Sequence, residues 1–120
     1  MKRTTFTKVL PHAAAKRACT PVRTGYPGYV FTHPDHPGVT LIVCRGSKNN
    51  LSSPLGYSLT SQWVVFDPVS GHRVLRSIYS ETRARVVDEL GSWMSTNSPD
   101  AVCTERLRQK VHYAKDMLSD

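Results

Sequence analysis

The stretch GYVFTHPDHPGVTLIVCRG, residues 28–46, decides the fold of this chain. Two runs rich in β-branched and aromatic residues, GYVFTH and GVTLIVCRG, lie on either side of a proline- and glycine-containing cluster, which is typical of a β-hairpin. The second run is apolar on both faces, with Val39, Leu41 and Val43 on one and Ile42 and Cys44 on the other. A strand that is apolar on both sides is expected to lie in the centre of a sheet.

The cluster HPDHPG contains residue types that bind metals, His33, Asp35 and His36, with Cys44 eight residues further on. However, a residue before proline is pushed toward extended conformations, which suits a kinked turn rather than two histidines on one helical face. A closed zinc site also needs four ligands, and no second clustered pair occurs. We therefore interpret the cluster as a turn with exposed histidines, and we predict no metal site and no cofactor.

A second hairpin is predicted further along the chain. The runs SQWVVFD and HRVLRSIY flank the sequence PVSG, so that the turn falls at residues 68–71. Between the two hairpins, residues 45–56 read RGSKNNLSSPLG and indicate a polar loop longer than the usual connection. Four strands in two hairpins predict a mainly antiparallel sheet.

Two helices are predicted after the strands. Ser80 is a candidate N-cap for the first, whose apolar residues recur at helical spacing: Ala84, Val87, Leu90 and Met94. The second starts with Ser98 as N-cap and Pro99 at the first helical position. Its apolar stripe consists of Cys103, Leu107, Val111, Ala114 and Leu118. With one apolar face each, both helices are expected to pack on the sheet or on each other, which makes the fold class α+β.

The first part of the chain differs from the rest. Residues 1–28 lack strand alternation and contain three prolines, and PHAAAKRA is the only helical signal. We predict a basic N-terminal arm with a short helix over residues 1–28 and a single α+β domain over residues 29–120. The whole net charge of +7 lies in residues 1–50, which carry eight lysines and arginines against one aspartate. A partner with phosphates or acidic side chains would be drawn to this half.

Cysteine content and hydropathy suggest the compartment. Three widely separated cysteines without a Cys-x-x-Cys pair do not make a disulfide scaffold, and a reducing cytoplasm is expected. Lys8 and Pro11 interrupt any signal-peptide core, and no run approaches the roughly twenty apolar residues of a membrane span. We therefore expect a soluble, cytoplasmic protein without a membrane partner.

Charge and aromatic content favour non-catalytic binding of DNA or RNA. Basic side chains are interleaved with tyrosines near the N-terminus, and such a surface can contact phosphates and stack unpaired bases. The predicted binding residues are Lys16, Arg17, Arg23, Tyr26, Tyr29, Arg45, Lys48 and Asn49.

Two other function classes remain open. The second hypothesis is a regulator or inhibitor that binds an acidic protein surface, because aromatic anchors and positive charge suit that partner equally well. A metal-independent ribonuclease ranks third. The candidate acid, base and phosphate-binding groups for that activity are His72, Arg73, Arg76 and Tyr79. We predict no catalytic residues, and leave open only whether these four residues form a catalytic group.

Overall fold

A computed structural model describes residues 1–9, 22–49, 52, 54 and 57–97 of the protein. These residues form an antiparallel sheet of four strands and one helix. The elements are β1 (Lys2–Val9), β2 (Val22–His33), β3 (His36–Asn49), β4 (Tyr57–Phe66) and α1 (Arg83–Thr96). The strands lie in the order β1-β2-β3-β4, and every neighbouring pair is antiparallel. The predicted α+β class and four-stranded sheet are confirmed. No helix in the described part of the chain is long and apolar enough to cross a membrane.

The hairpin of residues 28–46 forms as the sequence predicts. β2 and β3 pair across a two-residue turn at residues 34–35, with His33 opposite His36. The expectation that both histidines are exposed is wrong: His36 is only 7% exposed, and the side chain of His33 is 13% exposed. The turn packs on the end of α1, where His36 Nε2 lies 2.7 Å from the carbonyl oxygen of Met94. This contact with a distant part of the chain is what buries the ring.

β1 lies inside the segment for which the sequence predicts a basic arm. Lys2–Val9 pairs with β2 from Lys2 opposite Val30 to Val9 opposite Val22. The alternation of this strand is hidden in the sequence because Lys8, a charged residue, occupies an inward position beside Phe6 and is fully buried. Residue 28, the predicted end of the arm, falls in the middle of β2. The predicted short helix PHAAAKRA lies outside the described residues.

Only the first half of the second predicted hairpin is a strand. SQWVVFD provides the end of β4, and the predicted turn at residues 68–71 forms, with the Asp67 carboxylate accepting hydrogen bonds from the backbone of Val69 and Ser70. HRVLRSIY is not a strand: it pairs with β4 through an isolated bridge between Arg73 and Phe66, and a second isolated bridge follows at Ser80. Leu75 has a φ of 51°, a left-handed conformation that interrupts an extended chain.

The sheet curls until its two edge strands meet. Phe6 on β1 and Phe66 on β4 have ring centroids 5.7 Å apart, whereas three strand spacings in a flat sheet would separate them by roughly 14 Å. The Val9 backbone N–H donates to the carbonyl of Gly71 at 2.8 Å and ties β1 to the turn after β4. Gly71 has a φ of 74°, and a Cβ atom here would lie 2.5 Å from the Thr7 carbonyl oxygen, so this approach requires glycine.

The curl separates two hydrophobic cores. The inner core lies on its concave side and consists of Phe6, Tyr26, Ile42, Cys44, Val64 and Phe66. The outer core lies between the sheet and α1 and consists of Phe31, Val39, Leu41, Val43, Val65, Val74, Ile78, Val86, Leu90 and Met94. β3 contributes to both cores, as its two apolar faces predict, and it lies between β2 and β4.

The first predicted helix is confirmed with a shifted start and a rotated face. Its N-cap is Thr82 rather than Ser80, and its buried side chains are Val86, Leu90 and Met94. Ala84 is exposed, because the helix turns the larger Val86 toward the sheet. The second predicted helix, from Ser98 onward, lies outside the described residues.

Candidate nucleic-acid interface

A groove rich in arginine and aromatic residues lies on the outer side of the sheet, next to α1. It has a volume of about 190 Å³. The described residues that line it are Arg3, Tyr26, Pro27, Gly28, Tyr29, Arg45, Leu59 and Trp63. None of these carries a carboxylate, and Arg3 and Arg45 are exposed. We call this surface, together with the adjoining Arg83, the arginine groove.

The register of the sheet brings these residues together. Arg3 on β1 lies opposite Tyr29 on β2, and Arg45 on β3 lies opposite Trp63 on β4. Tyr29 lies opposite Val43, two residues before Arg45, so all four side chains belong to the same face. Residues from four separate parts of the sequence therefore share one surface.

Tyr29, Trp63 and Arg83 form a cation–aromatic cluster at the edge of the groove. The two rings are half-buried, with centroids 6.1 Å apart. The guanidinium carbon of Arg83, the first residue of α1, lies 4.0 Å from the centroid of Tyr29 and 5.9 Å from that of Trp63. A guanidinium at such a distance is attracted by the ring's negative face. The guanidinium of Arg83 therefore occupies the position over the Tyr29 ring at which another flat group would stack.

The other charges of the groove also favour an anion. Arg45 donates from Nε and Nη2 to the carbonyl of Thr60 at 3.1 and 2.8 Å, which orients the guanidinium while leaving further N–H groups for a ligand. α1 begins beside the groove, its N-cap Thr82 makes no side-chain capping bond, and its first turn contains no acidic residue. The partial positive charge of the helix start therefore adds to that of the arginines.

The residues predicted from the sequence are distributed over several environments. Tyr29 and Arg45 lie in the groove, although Arg45 and Lys48 belong to β3 and not to the predicted loop. Tyr26 is only 3% exposed, and its hydroxyl donates to the Arg45 carbonyl at 2.9 Å. Lys48 is exposed further along β3.

The side chains of four predicted binding residues are not among those that the structure describes. Arg23 and Asn49 lie in β2 and β3, but their side chains are outside the description, and Lys16 and Arg17 lie outside the described residues altogether. Sequence reasoning missed Arg3, Trp63 and Arg83 as members of one site. In the sequence, Arg3 counts only toward the positive charge of residues 1–50. Arg83 reaches the groove only because α1 docks beside it.

A serine, histidine and aspartate also come together, at the hairpin turn. His33 Nε2 lies 3.0 Å from Ser95 Oγ, and His33 Nδ1 lies 3.9 Å from the Asp35 carboxylate. However, the backbone N–H of Asp35 donates to Nδ1 at 3.1 Å, so the neutral ring carries its proton on Nε2. Nε2 then donates to the serine and cannot accept its proton, as a nucleophilic serine requires. The contacts serve to dock the turn on α1.

The candidate ribonuclease residues follow the turn after β4. Burial lowers the pKa of His72, the nearby Asp67 carboxylate opposes this shift, and Arg76 adds to it. Arg73 donates from Nη2 to the carbonyl of Arg76 at 3.1 Å, and Tyr79 is 47% exposed. Among the residues that the structure describes, no three of His, Cys, Asp and Glu lie close enough to hold a metal ion.

No protein-family model, no curated protein and no solved structure significantly matches this chain.

Proposed function

We propose that this protein binds nucleic acid without catalysis and that the arginine groove contacts the strand. One observation carries the proposal: three exposed arginines, Arg3, Arg45 and Arg83, surround the half-exposed rings of Tyr29 and Trp63, with no carboxylate among the described lining residues. Nucleic acid offers both of the groups that such a surface binds, phosphates and aromatic bases.

Positive charge supplies the affinity for phosphate in this proposal. Lys48 is also exposed and adds positive charge further along β3, whereas Lys2, next to Arg3 in β1, points to the opposite face of the sheet. Each phosphate neutralised by lysine or arginine releases a condensed counterion, which makes binding favourable and dependent on salt. Because Arg45 is already oriented by its bonds to Thr60, less side-chain entropy is lost when it binds.

A protein partner with an acidic surface is the second candidate. Leu59 is 49% exposed at the groove, beside Trp63. Tryptophan, tyrosine and arginine are the residue types enriched in protein-binding hot spots, and the exposed leucine beside them offers additional apolar area. The same positive charge would attract carboxylates, so only a binding measurement separates the two partners.

The test is fluorescence anisotropy with labelled single-stranded RNA, single-stranded DNA and duplex DNA, at salt concentrations from about 50 to about 200 mM. Two double variants are compared: Arg3→Ala with Arg45→Ala in the groove, and Arg76→Ala with Arg85→Ala as a charge-matched control at exposed positions that do not line it. We expect the groove variant to weaken binding and to reduce the slope of log K against log salt by about 1.4, since each single-strand contact contributes about 0.7.

The control should keep most of the affinity, and circular dichroism should show both variants folded. Equal losses in the two variants would mean diffuse attraction by net charge and would overturn the role of the groove. If no oligonucleotide binds the wild type near physiological salt, nucleic-acid binding itself is rejected, and a pull-down for an acidic protein partner becomes the next experiment.

A further inference from the structure

The volume of the arginine groove limits the size of the ligand that it can bind. Its volume of about 190 Å³ lies below the roughly 300–1,000 Å³ of pockets for drug-sized molecules. Two of its walls are the aromatic rings of Tyr29 and Trp63. A groove of this size with aromatic walls suits one flat ring system rather than a larger ligand.

The face of Tyr29 is covered by a group that can be replaced. Arg83 lies on the ring at 4.0 Å, and its long side chain is exposed at the start of α1. An exposed cation–aromatic contact is weaker than the stacking of a nucleobase on an aromatic ring. A base can therefore take the place of Arg83 on Tyr29, and the guanidinium is then near enough to cover the other face of that base.

Arg3 and Arg45 lie on opposite sides of Tyr29. Arg3 is on β1, Tyr29 on β2 and Arg45 on β3. The two arginines are therefore separated by two strand spacings across the sheet and two residues along it, roughly 12 Å between Cα atoms in a flat sheet. The phosphates before and after a base that enters between them are thereby placed next to positive charges. A paired base inside a duplex offers only its edges and cannot place a face on Tyr29.

We propose that the arginine groove binds one unpaired nucleobase, stacked between Tyr29 and Arg83, with the flanking phosphates on Arg3 and Arg45. This inference rests on the proposed nucleic-acid binding and adds that the strand must be single or locally open at the bound position. The base is read by stacking and not by its edges, so little sequence preference is expected.

The chain offers a direct optical test. It contains two tryptophans, Trp63 in the groove and Trp93 packed against the outer core. In a Trp93→Phe background the emission comes from Trp63 alone. Three probes of equal charge are titrated: a short oligothymidine, the same backbone with every base removed, and a hairpin duplex. We expect the oligothymidine to bind with a change in Trp63 emission, and the base-free strand to bind about 5- to 150-fold more weakly without that change.

Side-chain variants locate the base. Tyr29→Ala should lower affinity for oligothymidine by about 5- to 150-fold and leave the base-free strand unaffected, whereas Tyr29→Phe keeps the ring and should bind normally. Arg83→Ala should weaken the oligothymidine more than the base-free strand, and Arg85→Ala, two residues along α1, should weaken neither selectively.

The outcomes distinguish a failure of the base site from a failure of the proposed nucleic-acid binding. If all three probes bind equally and Tyr29→Ala changes none of them, the protein binds nucleic acid but holds no base in the groove. If Arg83→Ala weakens the oligothymidine and the base-free strand alike, Arg83 contacts only phosphate and does not stack. If no probe binds, both the base site and nucleic-acid binding are overturned.

Discussion

Two cation–aromatic clusters occupy opposite faces of the sheet. On the inner side, the ammonium of Lys8 lies 4.1 Å from the ring centroid of Tyr26 and 4.6 Å from that of Phe66. On the outer side, the guanidinium of Arg83 lies over Tyr29, close to Trp63. β2 supplies one tyrosine to each cluster, and because the two are three residues apart in a strand, they point to opposite faces.

The difference between the clusters is burial. Lys8 is fully buried, and its ammonium lies 3.4 Å from the carbonyl oxygen of Arg45, which also accepts the Tyr26 hydroxyl. Arg83 is exposed. The same pairing of residue types therefore belongs to the folded core in one place and to an exposed surface in the other. Residue type and spacing alone do not tell a structural cluster from a site.

The largest expected effect separates the two tyrosines. Tyr26→Ala should lower the free energy of unfolding by about 3–5 kcal/mol, because a buried ring is lost from the inner core. Tyr29→Ala should cost about 1 kcal/mol or less, since that ring is half-exposed. Urea denaturation of both variants measures the contrast, with Tyr26→Phe as a control that loses only a hydrogen bond, worth about 1 kcal/mol. Equal losses would contradict the assignment of Tyr26 to the core and Tyr29 to the surface.

The next effect concerns the closure that keeps the inner cluster away from solvent. Gly71→Ala places a side chain at a left-handed backbone position and against the carbonyl of Thr7. We expect a loss of about 2–4 kcal/mol, from backbone strain together with a forced shift of the chain. Gly38→Ala, at a glycine whose Cβ would contact nothing within 4 Å, is the matched control. If Gly71→Ala is as stable as this control, the contact between β1 and the turn does not hold the sheet closed.

The two cations themselves give the third prediction. Lys8→Met keeps the apolar length of the side chain and removes the charge, and it should cost about 2 kcal/mol because a desolvated cation–aromatic contact is lost. Arg83→Met removes an exposed contact and should cost about 0.5–1 kcal/mol. Thermal unfolding followed by circular dichroism compares them. A Lys8→Met variant more stable than the wild type would show that the desolvation of the ammonium outweighs its contacts.

The smallest effect is a dependence of stability on pH near the closure. Since burial lowers the pKa of His72, the unfolded chain binds a proton more readily than the folded one. The free energy of unfolding should therefore fall as pH drops through the ordinary value of 6.5, and level off below the lowered native pKa. The Asp67 carboxylate opposes the shift and keeps the effect small.

Denaturation midpoints between about pH 8 and pH 5 measure this dependence. In His72→Gln the contribution of this residue should be absent, so the difference between the wild type and the variant isolates it. Parallel curves for the two proteins would show that His72 makes no contribution.

Part of the candidate site can be predicted from the sequence. The sequence predicts Tyr29 and Arg45 as binding residues because aromatic and basic side chains suit bases and phosphates. Tyr26 satisfied the same criterion and lies in the core. The groove also needs Arg3 and Trp63, which come to Tyr29 and Arg45 through strand pairing, and Arg83, which comes through the docking of α1. A criterion of residue type cannot supply these pairings.

The sequence by itself determined the features that depend on neighbouring residues. Residues 28–46 form a hairpin because prolines and a glycine interrupt two β-forming runs, β3 is central because both of its faces are apolar, and α1 follows from helical spacing of apolar residues. Tertiary structure decided the rest. It made a strand of Lys2–Val9 by giving Lys8 an aromatic environment, and it curled the sheet through a contact between Val9 and Gly71. Contacts between residues so far apart depend on how the whole chain packs, whereas local patterns report only backbone preference and the burial expected of one face.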